Sequence, residues 1–345
     1  MQVNQCKPTN ANQLMESRHI LRPVGRPRAN PAIAGFQAQR GSATIMALIV
    51  VGVASVLLTG MIWRQEIEIR TIENARDRTQ VIWLQRSAID FARLILIEDQ
   101  RNSQYDHLGE IWAIPLIDSR VATFLRNEDH AGEMQNVTIM GSILDAQSYF
   151  NITNLWYPNL HSIDDDAVKA YERLLDALLI DRNLAMFTAN TVLKQGIGLA
   201  DIQGLFQLPI YTQEIINKIN DHIVVLPERT AINVNTAQAD VLMAGIPGLT
   251  RIKANQLVND RMLKPMKTIQ EINLALAKIG VPYRVPENTH SIDIKSNFWI
   301  ARSEISLGRG LFQNTALIER SRKPFTNRVF SKVHWNQTVR RPSNV

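Results

Sequence analysis

Residues Gly41 to Trp63 run for 23 positions without a charge, GSATIMALIVVGVASVLLTGMIW, between Arg40 and Arg64. At ~1.5 Å per residue this makes a helix of about 34 Å, enough to cross a hydrocarbon core of ~30 Å. A buried helix of a globular domain normally carries a polar stripe, and this run has none. A secretory signal peptide would be shorter and nearer the start of the chain, and the small residues Val53-Ala54-Ser55 would place its cut in mid-run. The run therefore reads as a membrane anchor. Upstream, Lys7, Arg18, Arg22, Arg26, Arg28 and Arg40 face a single acid, Glu16, whereas downstream the charges are mixed. The excess of cations before the anchor predicts a cytoplasmic N-terminus and a body on the far side.

The helical pattern does not stop with the anchor. Ile67, Ile69, Ile72, Ala75, Val81, Ile82, Leu84, Ala88, Ile89, Phe91, Ala92, Leu94 and Ile95 follow, and no Gly or Pro intervenes between Met61 and Gly109. One helix of about fifty residues is predicted, apolar in its first half and amphipathic in its second. The charge balance of +6 suggests nucleic acid until its distribution is considered. Residues 320–345 hold seven Lys/Arg and no acid, while 42–319 hold 25 basic and 31 acidic residues, net −6. The body is mildly acidic with basic ends. The one cysteine, Cys6, excludes an intrachain disulfide and a cysteine-based metal cluster.

A basic leader ending in Gly, followed at once by the apolar half of a long helix, resembles the type IV pilin-like proteins. That resemblance implies cleavage by a prepilin peptidase between Gly41 and Ser42 and N-methylation of Ser42. Gly35-Phe36 is a poorer site, since it would leave Arg40 inside the apolar helix. Two departures from the usual pattern are the Ser at the first mature position and the long leader. Pilins usually carry Glu at the fifth mature position, where this chain has Met46. A carboxylate in the bilayer costs on the order of 3 kcal/mol and needs a partner. In the resemblance that partner is the free amine of the neighbouring subunit, so a subunit without the carboxylate is suited to the tip.

Two segments of the body narrow the resemblance. One contains Phe150-Asn151-x-x-Asn154-Leu155, the other Ile232-Asn233-Val234-Asn235-Thr236-Ala237. Both resemble the K-type minor pseudopilin of bacterial type II secretion, general secretion pathway protein K, in which they flank a large helical insertion. Asn tolerates the left-handed region and bonds nearby backbone, so both segments are expected to hold turns. The fold class expected is α+β, with a type IV pilin-like long N-terminal helix packed on a small antiparallel sheet. A large helical domain, SAM-like or helix-hairpin-helix-like, is inserted between the strands. The expected organisation is a leader at 1–41, the transmembrane half-helix at 42–63, and the outer half-helix with the first strands at 64–157. The inserted domain follows at 158–287, the C-terminal strands at 288–320 and a basic, disordered tail at 321–345. The resemblance implies I- and J-type minor pseudopilins, the major pseudopilin and prepilin peptidase as partners, an inner-membrane location and no enzymatic activity.

Local signals support this layout. Ser162-x-x-Asp165 is expected to cap a helix carrying Val168, Tyr171, Leu174, Leu175, Leu178 and Leu179. LPIYTQEIINKI (208–219) and IPGLTRIKANQL (246–257) form a near-repeat, each a turn opening a short helix. Thr268-Ile269-Gln270-Glu271 is a capping box. SIDIKSNFWIARSEISLG and LFQNTALIER read as antiparallel strands around Gly308-Arg309-Gly310. The second repeat also resembles helix-hairpin-helix modules of competence-type DNA receptors, which gives an alternative function. However, its turn Gly248-Leu249-Thr250 lacks the second Gly, and the acidic body disfavours phosphate contact by Arg251, Lys253, Arg261, Lys264 and Lys267. No nucleic-acid partner is expected. No HExxH, P-loop, GxSxG or Cys–His pairing is present. Asp164, Asp165 and Asp166 are candidate calcium ligands, although acids there also favour a helix N-terminus. The K-type resemblance implies an acidic metal loop in the helical domain, but LAMFTANTVLKQGIGLAD (184–201) holds one acid, Asp201.

Overall fold

The structure, a computed structural model, describes residues 42–116, 137–157, 159–195, 202–286, 291–307, 310–322 and 328–342. The leader 1–41, Gly41 included, lies outside them. The chain divides into two units, 1–68 and 69–345. In the first, the described residues are helical, and every side chain from Ala43 to Glu68 is exposed. They open helix α1, Ser42–Asn102, whose 61 residues exceed the predicted length because nothing breaks the pattern before Ser103.

In the second unit α1 changes character. Val81, Leu84, Gln85, Ile89, Ala92 and Leu96 are buried at the three- and four-residue spacing of one helix face. The strands follow in chain order: β1 (Val137–Asp145), β2 (Phe150–Asn151), β3 (Trp156–Tyr157), β4 (Ser162–Ile163), β5 (Ile223–Val224), β6 (Ile232–Asn233), β7 (Ile292–Asp293), β8 (Phe298–Leu307), β9 (Gly310–Arg322) and β10 (Val329–Pro342). A four-stranded antiparallel sheet has the order β1-β8-β9-β10. Its inner face meets α1 in two apolar clusters. Ile89, Ala92 and Leu96 pack on Trp112, Ile143, Trp299 and Ile318. Val81 and Leu84 pack on Ile139, Ile305, Leu307 and Phe312.

The expected disordered tail is a correction. Residues 329–342 form β10, which pairs with β9 from Val329↔Arg322 to Pro342↔Gly310. The six Lys/Arg of 321–345 suggested a solvated tail, but Phe330, Val333, Trp335 and Val339 give the stretch strand-forming side chains. Its cations are also partly used inside the fold. Arg320 is buried, and Arg322 Nη2 donates to the Gln100 carbonyl at 3.0 Å.

Between β1 and β8 lie seven described helices: α2 (Asp165–Ala177), α3 (Asn183–Gln195), α4 (Ile202–Phe206), α5 (Gln213–Ile219), α6 (Ala239–Gly245), α7 (Arg251–Leu263) and α8 (Ile269–Lys278). One apolar core joins them, with Tyr171, Leu174, Leu205, Leu242, Leu257 and Leu276 among its members. The cap of α2 is Asp164, not Ser162. Its Oδ1 accepts from the Asp166 and Ala167 N–H groups at 3.0 and 3.1 Å, while Ser162 belongs to β4. The helix ends as Ile180 N–H bonds the Leu175 carbonyl at 2.8 Å, which puts Leu179 at φ 57. That is a position Gly would normally fill.

The two repeats do open helices after Thr212 and Thr250. Thr268 caps α8 as expected, and Glu271 reaches back to the Lys267 N–H at 2.7 Å. The two Asn-rich motifs do not flank the helices. Four helices lie between them and three follow the second, because β6 pairs in parallel with β7 and carries that motif into the middle of the domain.

Candidate functional site

Three features of this chain can bear function: the anchor, the outer face of α1, and the buried polar junction that fixes the helical domain to the sheet.

In the anchor, Met46 is 62% exposed and brings no charge to the helix. A Cβ added at Gly52 or Gly60 would meet nothing within 4 Å, so a neighbouring helix can approach closely there. Ser55 and Thr59 each donate to the carbonyl four residues back at 2.8 Å, which satisfies their hydroxyls without water. Ser42 begins the helix. Further along, α1 exposes large apolar side chains on the face turned away from the sheet. Ile72, Trp83 and Leu94 are 68%, 62% and 65% exposed, and Phe91 is 41% exposed. The first three are eleven residues apart, a spacing that returns to nearly the same face after three turns. Large aromatic and aliphatic groups in such a row fit contact with another helix.

The junction is built by the motif asparagines. Asn154 donates to the Thr230 carbonyl at 2.8 Å and accepts from its N–H at 3.0 Å. Asn235 does the same to Met266, at 2.9 Å both ways. Each primary amide thus pairs with a backbone residue as a strand neighbour would. Asn151 accepts from Thr153 and Leu226 N–H and donates to the Glu228 carbonyl and the Thr230 hydroxyl. Asn233 donates to the Asp106 carbonyl, to Asp145 Oδ2 and to Ser296 Oγ, and accepts from the Asn235 N–H. These bonds differ in form from the turns expected of the motifs. Among the described residues the only non-glycine left-handed positions are His161 and Leu179, and most partners of these amides lie far away in sequence.

Asp145, at the end of β1, is the centre of the junction. Its Oδ1 accepts from the Gln147 N–H at 2.8 Å, and its Oδ2 accepts from Thr236 Oγ1 and Ser296 Oγ at 2.6 Å each and from Asn233. Burial raises its pKa to about 6, while the Ser296 and Thr236 hydroxyls pull it down. Beside it Arg320 is 2% exposed and stacks 4.7 Å from the Trp299 ring centroid. Arg320 Nη1 pairs with Asp99 at 2.7 Å and Nη2 pairs with Asp106. Burial, then Glu110, raises Asp99 to about 6 against the pull of Arg320, and burial also raises Asp106. One guanidinium thus joins the end of α1, the loop after it and β9. Asp99, Asp106 and Glu110 bring carboxylate oxygens within 4.8 Å of one another, as a cation site would. Arg320 supplies that positive charge for the two aspartates, and Glu110 Oε2 accepts from the His107 N–H and Trp112 Nε1. Sequence reading missed Asp99, Asp106, Asp145, Ser296 and Arg320. The available signal was Arg320 itself, in the inward row after Ala316 and Ile318.

The calcium expectation at Asp164, Asp165 and Asp166 does not fit this geometry. Asp164 spends one oxygen on the cap of α2 and the other on Arg229, whose guanidinium lies 3.9 Å from the Tyr157 ring centroid. Burial would raise Asp164, but the Ala167 N–H and Arg229 outweigh it and hold the pKa below the usual value. Asp166 pairs with Lys169 at 3.1 Å. The three carboxylates do not form a convergent oxygen cage. The DNA alternative also loses its cations. Arg251 pairs with Asp240 and donates to the Ala177 carbonyl, and Lys253 donates to the Gly280 carbonyl at 2.7 Å. Arg261 is buried, donates to the Val234 carbonyl, and is lowered to about 10 by burial. Lys267 lies 5.6 Å from the Tyr105 ring centroid. Gly248 keeps its φ of 77°, so the turn forms, but Arg251, Lys253 and Arg261 are engaged within the chain, and Lys264 is exposed.

Comparison with known proteins agrees with this architecture. The sequence profile of the family described as type II secretion system, protein K matches residues 232–293, the stretch from the second Asn-rich motif to β7. The type II secretion system protein K of Pseudomonas aeruginosa is 25% identical over 306 residues, covering 78% of this chain and 85% of that protein. A chain in the crystal structure of the GspK-GspI-GspJ complex from the enterotoxigenic Escherichia coli type 2 secretion system superposes with a TM-score of 0.60 at 18% identity. That superposition covers 77% of this chain and 98% of the other. In sequence and in fold the chain is thus similar to the K-type pseudopilins of type II secretion, and these matches support reading it as one of them.

Proposed function

We propose that this protein is the minor pseudopilin that begins and caps the type II secretion pseudopilus, and that it works through surfaces rather than catalysis. Prepilin peptidase cuts between Gly41 and Ser42 and methylates Ser42. The mature chain is held in the inner membrane by Ala43–Trp63, with its body in the periplasm. There it joins I- and J-type minor pseudopilins, the kind of assembly named for the E. coli relative, ahead of the major subunit.

The observation that carries this reading is the two-faced α1. One face is fixed to the sheet by Val81, Leu84, Ile89 and Leu96, and the other leaves Ile72, Trp83 and Leu94 bare. Met46 supports the end position, because a helix without a carboxylate needs no neighbouring amine to neutralise it.

Mass spectrometry of the mature N-terminus tests the reading. Membranes containing prepilin peptidase should yield a chain beginning at methylated Ser42, and Gly41→Leu should yield the full-length chain. An intact leader in the unmodified protein would remove the pseudopilin reading.

A further inference from the structure

The end of α1, the loop after it and β9 meet at four side chains whose charges do not balance. Asp99, Asp106 and Glu110 bring carboxylate oxygens within 4.8 Å of one another, and Arg320 pairs with both aspartates. The side chains of Asp99, Asp106, Glu110 and Arg320 are 9%, 5%, 9% and 2% exposed. Three carboxylates against one guanidinium leave an excess of negative charge where water barely reaches. Burial penalises each ionised carboxylate, and its like neighbours penalise it again. The cations around the cluster are used elsewhere. Arg101 pairs with Glu98 at 3.0 Å, Arg322 donates to the Gln100 carbonyl, and Lys267 lies over the Tyr105 ring. His107 Nε2 lies 3.9 Å from Glu110 Oε1, and Asp145 of β1 adds a further carboxylate on the Asp106 side.

The same cluster holds separate segments together. The Asp106 N–H donates to the Ile294 carbonyl at 2.9 Å, and the Ser296 N–H donates to Asp106 Oδ2 at 2.7 Å. The Asp106 carbonyl accepts from Asn233 Nδ2 at 3.2 Å. Asp106 thus ties the loop 103–110 to the segment before β8 and to the helical domain, and Arg320 ties it to α1 through Asp99. Ionisation of every carboxylate sets Asp99, Asp106 and Glu110 against one another across these ties. A proton on one of them removes the repulsion without breaking the Arg320 contacts.

We propose that this cluster is a proton-operated clasp, in which Asp99 takes up a proton from solvent to close the end of α1 and the loop 103–110 on the sheet, and releases it to loosen them. Burial, then the charge of Glu110, puts the proton on Asp99 at about 6, although Arg320 pulls the other way. The closed clasp therefore binds the proton more tightly than the open one. Its closure is strengthened as pH falls below about 6, and that gain is lost as pH rises through about 6. The device does not depend on the bare face of α1 being an assembly contact.

The test is hydrogen–deuterium exchange of the full chain in neutral detergent, read at the Asp106 and Ser296 amides as protection relative to the intrinsic exchange rate at each pH. A carboxyl that binds its proton at about 6 when closed and at 3.8 when open favours closure about tenfold more at about pH 5 than at about pH 7.5. Protection at these amides should rise by about that factor in the unmodified protein. Asp99→Asn cannot ionise and should hold protection constant within about twofold across the same range. Because that variant can disturb the Arg320 pair, Glu110→Gln provides a second arm. It removes one of the carboxylates facing Asp99 and should cut the rise to below about threefold. Equal protection at both pH values in the unmodified protein would overturn the clasp. A rise that survives in Asp99→Asn, and is lost instead in His107→Gln or Asp145→Asn, would overturn it in favour of that other group. Full protection at neutral pH on adding millimolar calcium, reversed by chelator, would overturn it in favour of a cation site.

Discussion

Two buried polar layers lie in the body of the chain beyond the anchor, and they are satisfied very differently. At the junction, Asp145 accepts four hydrogen bonds, and Arg320 is held between Asp99 and Asp106. Lower on the sheet, Gln85 of α1 and Asn314 of β9 sit between the two apolar clusters. Among the described residues their layer is held by a bond from Thr338 Oγ1 to Gln85 Oε1 at 3.2 Å. Gln85 Nε2 and both amide atoms of Asn314 have no partner among the described residues. The residue chemistry is similar, but only the first layer is coordinated. The junction keeps two unpartnered atoms of its own among the described residues, Arg320 Nε and Trp299 Nε1, but its carboxylates are bonded; such a network is costly to open, whereas a layer with hardly any bonds can be replaced by apolar groups at little cost or with a gain. The junction therefore specifies how the helical domain joins the sheet, while the lower layer contributes little stability of its own.

The largest effect is expected at Arg320. Arg320→Met leaves Asp99 and Asp106 buried without their cation and should cost about 3–5 kcal/mol at neutral pH. Denaturant unfolding of the full chain in detergent would measure it, and a loss below ~1 kcal/mol would show that the pair carries no such weight. A pH profile gives the next effect. Asp145 and Asp99 are raised in the folded state to about 6, above the ordinary carboxylate value of 3.8. The folded chain therefore binds protons more tightly than the unfolded one between those values, and their contribution to stability falls as pH rises from about 4 to 6. Asp164, whose pKa is lowered, acts in the opposite sense and loses stability as pH falls through its folded pKa. Asp145→Asn should flatten the 4-to-6 part of the profile, and an unchanged slope there would show that Asp145 does not titrate in that window. The smallest effect is on the other side of the comparison. Asn314→Val removes two unpartnered buried polar atoms from a strand and should be neutral or stabilising by about 1 kcal/mol. A clear loss of stability would mean that Asn314 is as well coordinated as the junction.

The difference between the layers also explains what the sequence made legible. The anchor and α1 were readable because helical periodicity is local and unbroken from Ser42 to Asn102. β8 and β9 were readable for the same reason at period two. The asparagine motifs were recognisable, but their partners were not. Asn233 bonds Asp106, which lies 127 residues away, and Asn154 bonds Thr230, 76 residues away. Arg320 was placed at the end of a strand but weighed only in the charge count over 320–345, because net charge over a window hides one inward position. The same averaging hid β10, where Val333 and Trp335 point a cationic stretch back onto the sheet. Asp164 was placed in an acidic run, and only the fold brings Arg229 to it.

The central claim is that this chain sits at an end of the pseudopilus beside the other minor subunits, in contact through the bare face of α1. The direct measurement is quantitative mass spectrometry of the chain purified from cross-linked cell envelopes. Near-equal amounts of I- and J-type pseudopilins should accompany it, with the major pseudopilin in only small amount, and Trp83→Glu with Leu94→Glu should deplete the partners while leaving the chain in the membrane. Recovery of the major pseudopilin in shaft-like excess, or of no pseudopilin at all, would contradict the account.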